Sequence, residues 1–168
     1  MCGIAGWISF DRDLRCAQET VDAMTETMAC RGPDARGTWA HGPAAPGHRR
    51  LAVIDLPGGH QPMTAERPDG NPVVIVYSGE TYNHTELRAE LVSRGHRLTT
   101  GSDTEAVLRG YLEWGEAAAE RLNGMCACAI WDEHLQQLVM IRDRTGIKPL
   151  YHHPTPDGVL FGSEPKAI

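Results

Sequence analysis

Cys2 is the residue on which chemistry is most readily built. Its small side chain permits removal of Met1, which leaves a thiol and a free α-amine on one residue. An N-terminal amine titrates at about 8 and a thiol at about 8.5, so the amine is partly neutral near pH 7 and can take the thiol proton. Nucleophile and base would then share a single residue. The same cysteine also fits a structural role, as a small hydrophobe opening a buried edge strand, and position alone leaves both readings open. Two other groupings invite a metal reading without sustaining it. Cys126 and Cys128 have the wrong spacing for the usual zinc pair, and strand alternation puts both sulfurs on one face, as in a core. His152 and His153 lack cysteine or carboxylate partners at ligand spacing. No metal is expected.

The elements that must carry these residues are marked by period and punctuation. Strands are predicted over residues 2–10, 37–40, 48–55, 73–78, 125–132, 138–142, 150–152 and 159–162. The short polar link at 133–137 predicts an antiparallel hairpin. Pro- and Gly-rich stretches at 42–47, 57–62 and 68–72 read as loops. A first helix is signalled by Val21, Met24 and Met28 at helical spacing. A second opens on Asn83 with Glu86 three residues on, turns Leu87, Leu91 and Val92 inward, and stops at Gly95. A third opens on Ser102 with Glu105 in the same relation, buries Val107, Leu108, Tyr111 and Leu112, and ends near Gly115; a short fourth covers 116–122. Many strands with two adjacent central helices, and no regular strand–helix alternation, predict an α+β fold.

Composition narrows the classes of function. The 168 residues carry 16 Lys and Arg against 22 Asp and Glu, a net charge of −6 that makes nucleic acid a poor partner. At 41 % hydrophobic and 23 % charged residues the chain has ordinary globular usage, so disorder, collagen and coiled coil are excluded. One domain of this size buries about two-thirds of its unfolded surface and needs no disulfide staples. Five irregularly spaced cysteines and no signal peptide predict a reduced, cytoplasmic protein. No apolar run approaches the roughly 20 residues of a membrane helix.

The opening Cys2-Gly3-Ile4-Ala5-Gly6 resembles the start of class II glutamine amidotransferases, N-terminal-nucleophile hydrolases whose first residue after processing is the catalytic cysteine. The resemblance continues in order through Arg31-Gly32-Pro33-Asp34, His48-Arg49-Arg50-Leu51, Gly79-Glu80, Tyr82-Asn83, Gly101-Ser102-Asp103, Arg142-Asp143-Arg144, Gly146 to Tyr151, and Ser163-Glu164. The last segments are most similar to the glutaminase domain of glutamine-hydrolysing asparagine synthetases. The resemblance implies a four-layer αββα sandwich of two antiparallel sheets and a single glutaminase domain over residues 1–168, with glutamine as substrate. It assigns Cys2 as nucleophile, Arg50 to the glutamine α-carboxylate, and Glu80 and Asp103 to its α-ammonium, with the backbone around Leu51 and Val53 along the substrate. These types suit the task, since free glutamine needs a guanidinium at one end and carboxylates at the other. Taken singly, Asp103 would be a first-turn helix acid and Arg50 a solvated strand arginine.

The sequence departs from the family at three places. The usual Asn-Gly pair reads Ser78-Gly79, so the oxyanion is expected to be held by the Gly79 amide and by the Ser78 hydroxyl, directly or through a water. Cys30 stands where relatives often carry His, and Met125-Cys126-Ala127-Cys128 stands where they carry aromatic residues. By the same resemblance the ammonia would feed a synthetase domain, in this or another chain, that activates aspartate with ATP and magnesium. No ATP-binding loop of that kind occurs in these residues, and truncation is the expected reason. The glutaminase chemistry itself needs no cofactor. A second copy of the chain is a further candidate partner. The alternatives are a catalytically silent scaffold for a synthetase, or the same glutaminase chemistry serving another acceptor such as a sugar phosphate.

Overall fold

A computed structural model describes residues 1–168 and resolves them into two antiparallel sheets. The first contains β1 (Gly3–Ser9), β2 (Ala35–Thr38), β3 (Ala44–Arg50), β8 (Tyr151–Thr155) and β9 (Gly158–Gly162), in the order β2-β3-β1-β9-β8. The second contains β4 (Met63–Glu66), β5 (Pro72–Thr81), β6 (Gly124–Asp132) and β7 (Gln137–Arg142), in sequential order. Helix α1 (Gln18–Glu26) packs on β1 and β3, while α3 (Asp103–Trp114) packs on β4 and β5 with α2 (His84–Ser93) beside it. A 3₁₀ turn at Gly115–Ala117 leads into the short α4 (Ala118–Arg121). The expected α+β sandwich of two sheets between helical layers is the fold observed.

The pleat sorts each central strand between two interiors. On β5, Val73, Ile75 and Tyr77 join Val107, Leu108 and Tyr111 of α3, whereas Val76 faces the other sheet and meets Ile4, Ala129 and Phe161. Strand β6 divides in the same way: Cys126, Cys128 and Ile130 turn to the helix, and Ala129 turns to the sheet interface. A strand buried on both faces reads as a continuous apolar run, which is why Val73 to Tyr77 shows no alternation in sequence. The hairpin of β6 and β7 pairs Ala127 with Arg142 and Asp132 with Gln137, as its polar link predicted. No helix is long and apolar enough to cross a membrane.

Several boundaries differ from expectation. Residues 44–47 belong to β3 and not to a loop; they are small because α1 lies directly over them, and a methyl group on Gly47 would press on Val21 and Thr25. The strand predicted to run to residue 55 ends at Arg50, where the Asp34 carboxylate takes the Ala52 amide and draws the chain out of the sheet. Strand β4 was not legible, and the strands predicted at 37–40 and 150–152 shift to Ala35–Thr38 and Tyr151–Thr155. Met28 lies past the end of α1, and Val92 is 58 % exposed because only Leu87 and Leu91 of α2 reach the core. Asn83 caps α2 by position alone, since its side chain bonds the Arg121 carbonyl and the Asn123 amide.

Candidate active site

The chemistry-bearing residues converge at one end of the sandwich because the strands that carry them end there together. Cys2 precedes β1, Arg50 closes β3, Ser78, Gly79 and Glu80 lie near the end of β5, and Asp103 opens α3. Cys2, Arg50, Leu51, Gly79, Glu80 and Asp103 line a single open cavity of about 180 Å³. That is below the roughly 300–1,000 Å³ of ordinary ligand clefts and suits a molecule of amino-acid size.

Cys2 is half-buried and held from several sides. The Leu51 amide donates to its Sγ at 3.3 Å, and Sγ lies 3.5 Å from the Leu51 carbonyl. Its own carbonyl accepts from the Ser78 hydroxyl at 2.9 Å and from Arg31 Nε at 3.1 Å. Arg31 is in turn fixed by Glu164 at 3.0 Å. The Ser78 hydroxyl, expected to face the oxyanion, is therefore engaged with the Cys2 backbone, and Ser78 is not part of the cavity wall. Gly79 does line the cavity; a methyl group there would overlap the Met125 carbonyl and Cys126 on the paired strand.

Arg50 is 5 % exposed, and its guanidinium is held by main-chain carbonyls: Nη1 donates to Leu56 at 2.8 Å, and Nη2 to Asp55 at 2.8 Å and Ile54 at 3.3 Å. Gly59 packs against this fork so closely that a side chain would overlap it. A cation held by carbonyls alone retains its charge for a carboxylate in the cavity. The Asp55 carboxylate accepts from the Gly58 amide at 3.0 Å and the Gly101 amide at 2.6 Å, which stitches the 51–59 loop to the start of α3 and holds the carboxyl below its ordinary value. Asp103 accepts from the Thr81 amide at 3.0 Å and the Thr104 amide at 2.9 Å while reaching the cavity wall, so its helix-start and site roles coexist. Leu51 and Val53 also border the cavity, with Val53 largely exposed.

Supporting residues escaped sequence reasoning. Gln61 accepts from the Tyr77 amide at 2.6 Å and donates to the Thr104 hydroxyl at 3.3 Å, tying β5 to α3 across the cavity floor. Glu105 does not complete a capping box with Ser102; its carboxylate gathers the amides and hydroxyls of Thr99 and Thr100. Burial would raise its pKa, but those bonds outweigh the cost and hold it below the ordinary value. Met1, about half exposed, and Lys148 also line the cavity; the Gly146 to Tyr151 motif contains Lys148 but does not show that its side chain is buried there.

The other candidates do not line this cavity. His48 is fully buried between the sheets, where Nε2–H donates to the Tyr77 carbonyl at 3.1 Å. Burial pushes its imidazole down to about 4, so the ring is neutral. Cys126 and Cys128 are core thiols, which burial pushes up, to about 11 for Cys126 and further for Cys128. Cys30 is exposed on the surface. His152 and His153 are exposed on β8, and no cluster of three or more His, Cys, Asp or Glu side chains is arranged to hold a metal.

A family model described as a glutamine amidotransferase domain matches residues 1–168. The chain is 45 % identical over 168 residues to asparagine synthetase [glutamine-hydrolyzing] 3 of Bacillus subtilis, covering 100 % of the chain and 27 % of that protein. It is 36 % identical over 169 residues to asparagine synthetase [glutamine-hydrolyzing] of Zea mays, again covering all of the chain and 28 % of the relative. The chain thus spans about a quarter of the length of these relatives. Among solved structures, the glutamine phosphoribosylpyrophosphate amidotransferase of B. subtilis superposes with a TM-score of 0.82 at 19 % identity, covering 99 % of this chain and 42 % of that one, which establishes likeness of fold.

Proposed function

The chain belongs to the glutamine amidotransferase domain family, and from that premise we propose that it hydrolyses glutamine to glutamate and ammonia through a thioester on Cys2. One observation carries the reading: a cysteine one residue from the start, a carbonyl-held guanidinium and two carboxylates share one cavity of amino-acid size. Arg50 would take the α-carboxylate, and Glu80 and Asp103 the α-ammonium, leaving the side-chain amide directed at Sγ. Removal of Met1 converts the Cys2 nitrogen from an amide, which cannot act as a base, into an amine that can. That amine takes the thiol proton, Sγ attacks the amide carbon, and the Gly79 amide donates to the oxyanion. The protonated amine then passes its proton to the leaving nitrogen, which departs as ammonia. Water, deprotonated by the same amine, cleaves the thioester to glutamate and restores the thiol. No step calls on a cofactor.

The relatives' names support an ATP-dependent asparagine synthetase domain as the acceptor of the ammonia, in this chain's own continuation or in a partner. ATP and magnesium would act there. Five unpaired cysteines, two of them exposed, favour a reducing, cytoplasmic setting. Intact mass and a glutamate-release assay test the proposal together. Active protein should lack Met1, and Cys2→Ala should fold normally with turnover reduced to background. Full activity with Met1 retained, or near wild-type turnover in Cys2→Ala, would overturn it.

A further inference from the structure

Lys148 lies in the loop between β7 and β8, 4 % exposed, with its side chain on the wall of the Cys2 cavity. A buried ammonium is costly unless a carboxylate pairs with it, yet no carboxylate lies within 4.0 Å of Nζ. Its hydrogen-bond partner is the Met1 thioether, at 2.8 Å, a weak acceptor. The backbone of the same residue is firmly anchored: its amide donates to Asp143 at 2.9 Å and its carbonyl accepts from Arg142 Nε at 2.8 Å. The loop thus holds a cation in place and gives it only a residue that processing would remove.

We propose that Lys148 is a positioning residue for the hydrolysis, its ammonium keeping the freed Cys2 amine in the neutral form that can act as a base. The inference rests on the reading that this amine is the base. With Met1 gone, Nζ stands within about 9 Å of the Cys2 nitrogen, the 2.8 Å contact plus the reach of one methionine residue, with no thioether between them. A second positive charge at that range disfavours the protonated amine. The other charged groups around the site are accounted for element by element. Arg31 donates to the Cys2 carbonyl and is paired with Glu164; Arg50 on β3, Glu80 on β5 and Asp103 on α3 would be matched by the charges of bound substrate. Asp143, ionised, turns its oxygens to the Ile147 and Lys148 amides and the Thr145 hydroxyl. Lys148 alone remains unmatched through the cycle.

The test is the pH profile of kcat/KM for glutamine, with intact mass showing that Met1 has been removed. Its acid limb reports the amine, because the protonated form cannot accept the thiol proton. At that outer limit of about 9 Å, an effective dielectric between about 20 and 80 makes the Lys148 charge worth roughly 0.3 to 1.4 pKa units, and more at closer range. Lys148→Met should therefore move the acid limb up by at least about that amount and lower kcat/KM near pH 7 by about 2- to 20-fold. Activity should recover at alkaline pH, and Lys148→Arg should keep the wild-type limb. Lys148→Gln should repeat the shift if the methionine variant does not fold. Failure of both neutral variants to fold would overturn the inference, as would a limb within about 0.2 unit of wild type. A wild-type enzyme whose activity does not depend on Cys2 would overturn the parent reading instead.

Discussion

Replacing Ser78 by alanine distinguishes an anchor of the nucleophile from a donor to the oxyanion. The hydroxyl donates to the Cys2 carbonyl at 2.9 Å, and Arg31 Nε remains as a second donor to that oxygen at 3.1 Å. Ser78→Ala thus removes one of two hydrogen bonds to a partly buried carbonyl, a loss of about 1 kcal/mol. If that loss is felt wholly as misplacement of Sγ in the transition state, turnover falls by roughly 5-fold, with little change in KM. A direct oxyanion donor would instead cost about 100- to 1,000-fold. The assay is glutamate release under saturating glutamine, with thermal unfolding alongside to show a loss of no more than a few degrees. A 100-fold fall in a folded variant would refute the anchoring argument and restore the oxyanion role. Turnover and melting both unchanged would mean that the bond contributes nothing. Ser78→Asn, which recreates the family's pair beside Gly79, should retain activity if the longer amide clears the Cys2 backbone.

The remaining predictions concern binding and pH. Gly59→Ala should push the Arg50 guanidinium off its carbonyls and raise KM for glutamine about 10-fold while largely sparing kcat; an unchanged KM would argue against Arg50 as the carboxylate partner. His48 should govern part of the acid unfolding. Its imidazole titrates at about 4 when folded against about 6.5 when unfolded, so the unfolded chain binds the extra proton between those values. Stability should be complete above about pH 6.5 and fall by on the order of 3 kcal/mol as pH drops toward about 4. Denaturant melts of His48→Gln across that range should show a flatter acid limb, and an identical limb would count against it.

Sequence legibility followed from how local each signal was. Cys2, Arg50, Glu80 and Asp103 could be read because they stand within short ordered motifs, and the cavity joins all four. The Ser102–Glu105 spacing correctly marked the start of α3 and misled about the carboxylate, since a residue three places on can reach either the cap or the loop before it. Residues 44–47 carry an ambiguous signal, because alanine, proline and glycine mark a turn in one setting and a strand beneath a helix in another; the overlying Val21 and Thr25 decide between them. The placement of Lys148, though it stands in the Gly146 to Tyr151 motif, and the tie made by Gln61 leave no local mark. They depend on contacts 147 and 16 residues away along the chain, which no window of local sequence contains.

Strand β1, which begins one residue after Cys2, sits between β3 and β9 in the middle of its sheet, and its β9 partner lies about 150 residues further along the chain. Translation at about 5–20 residues per second separates the two by on the order of ten seconds. Throughout that interval the first strand made has one open edge, a template for pairing with the wrong chain. The sheet closes only when Gly158–Gly162 emerges, and the Ser163 hydroxyl then bonds the Ile4 amide at 3.0 Å. The thiol of Cys2 is therefore backed by a finished sheet only after residues 158–163 have been made and paired with β1, so a chain interrupted before them carries the cysteine without the frame that holds it.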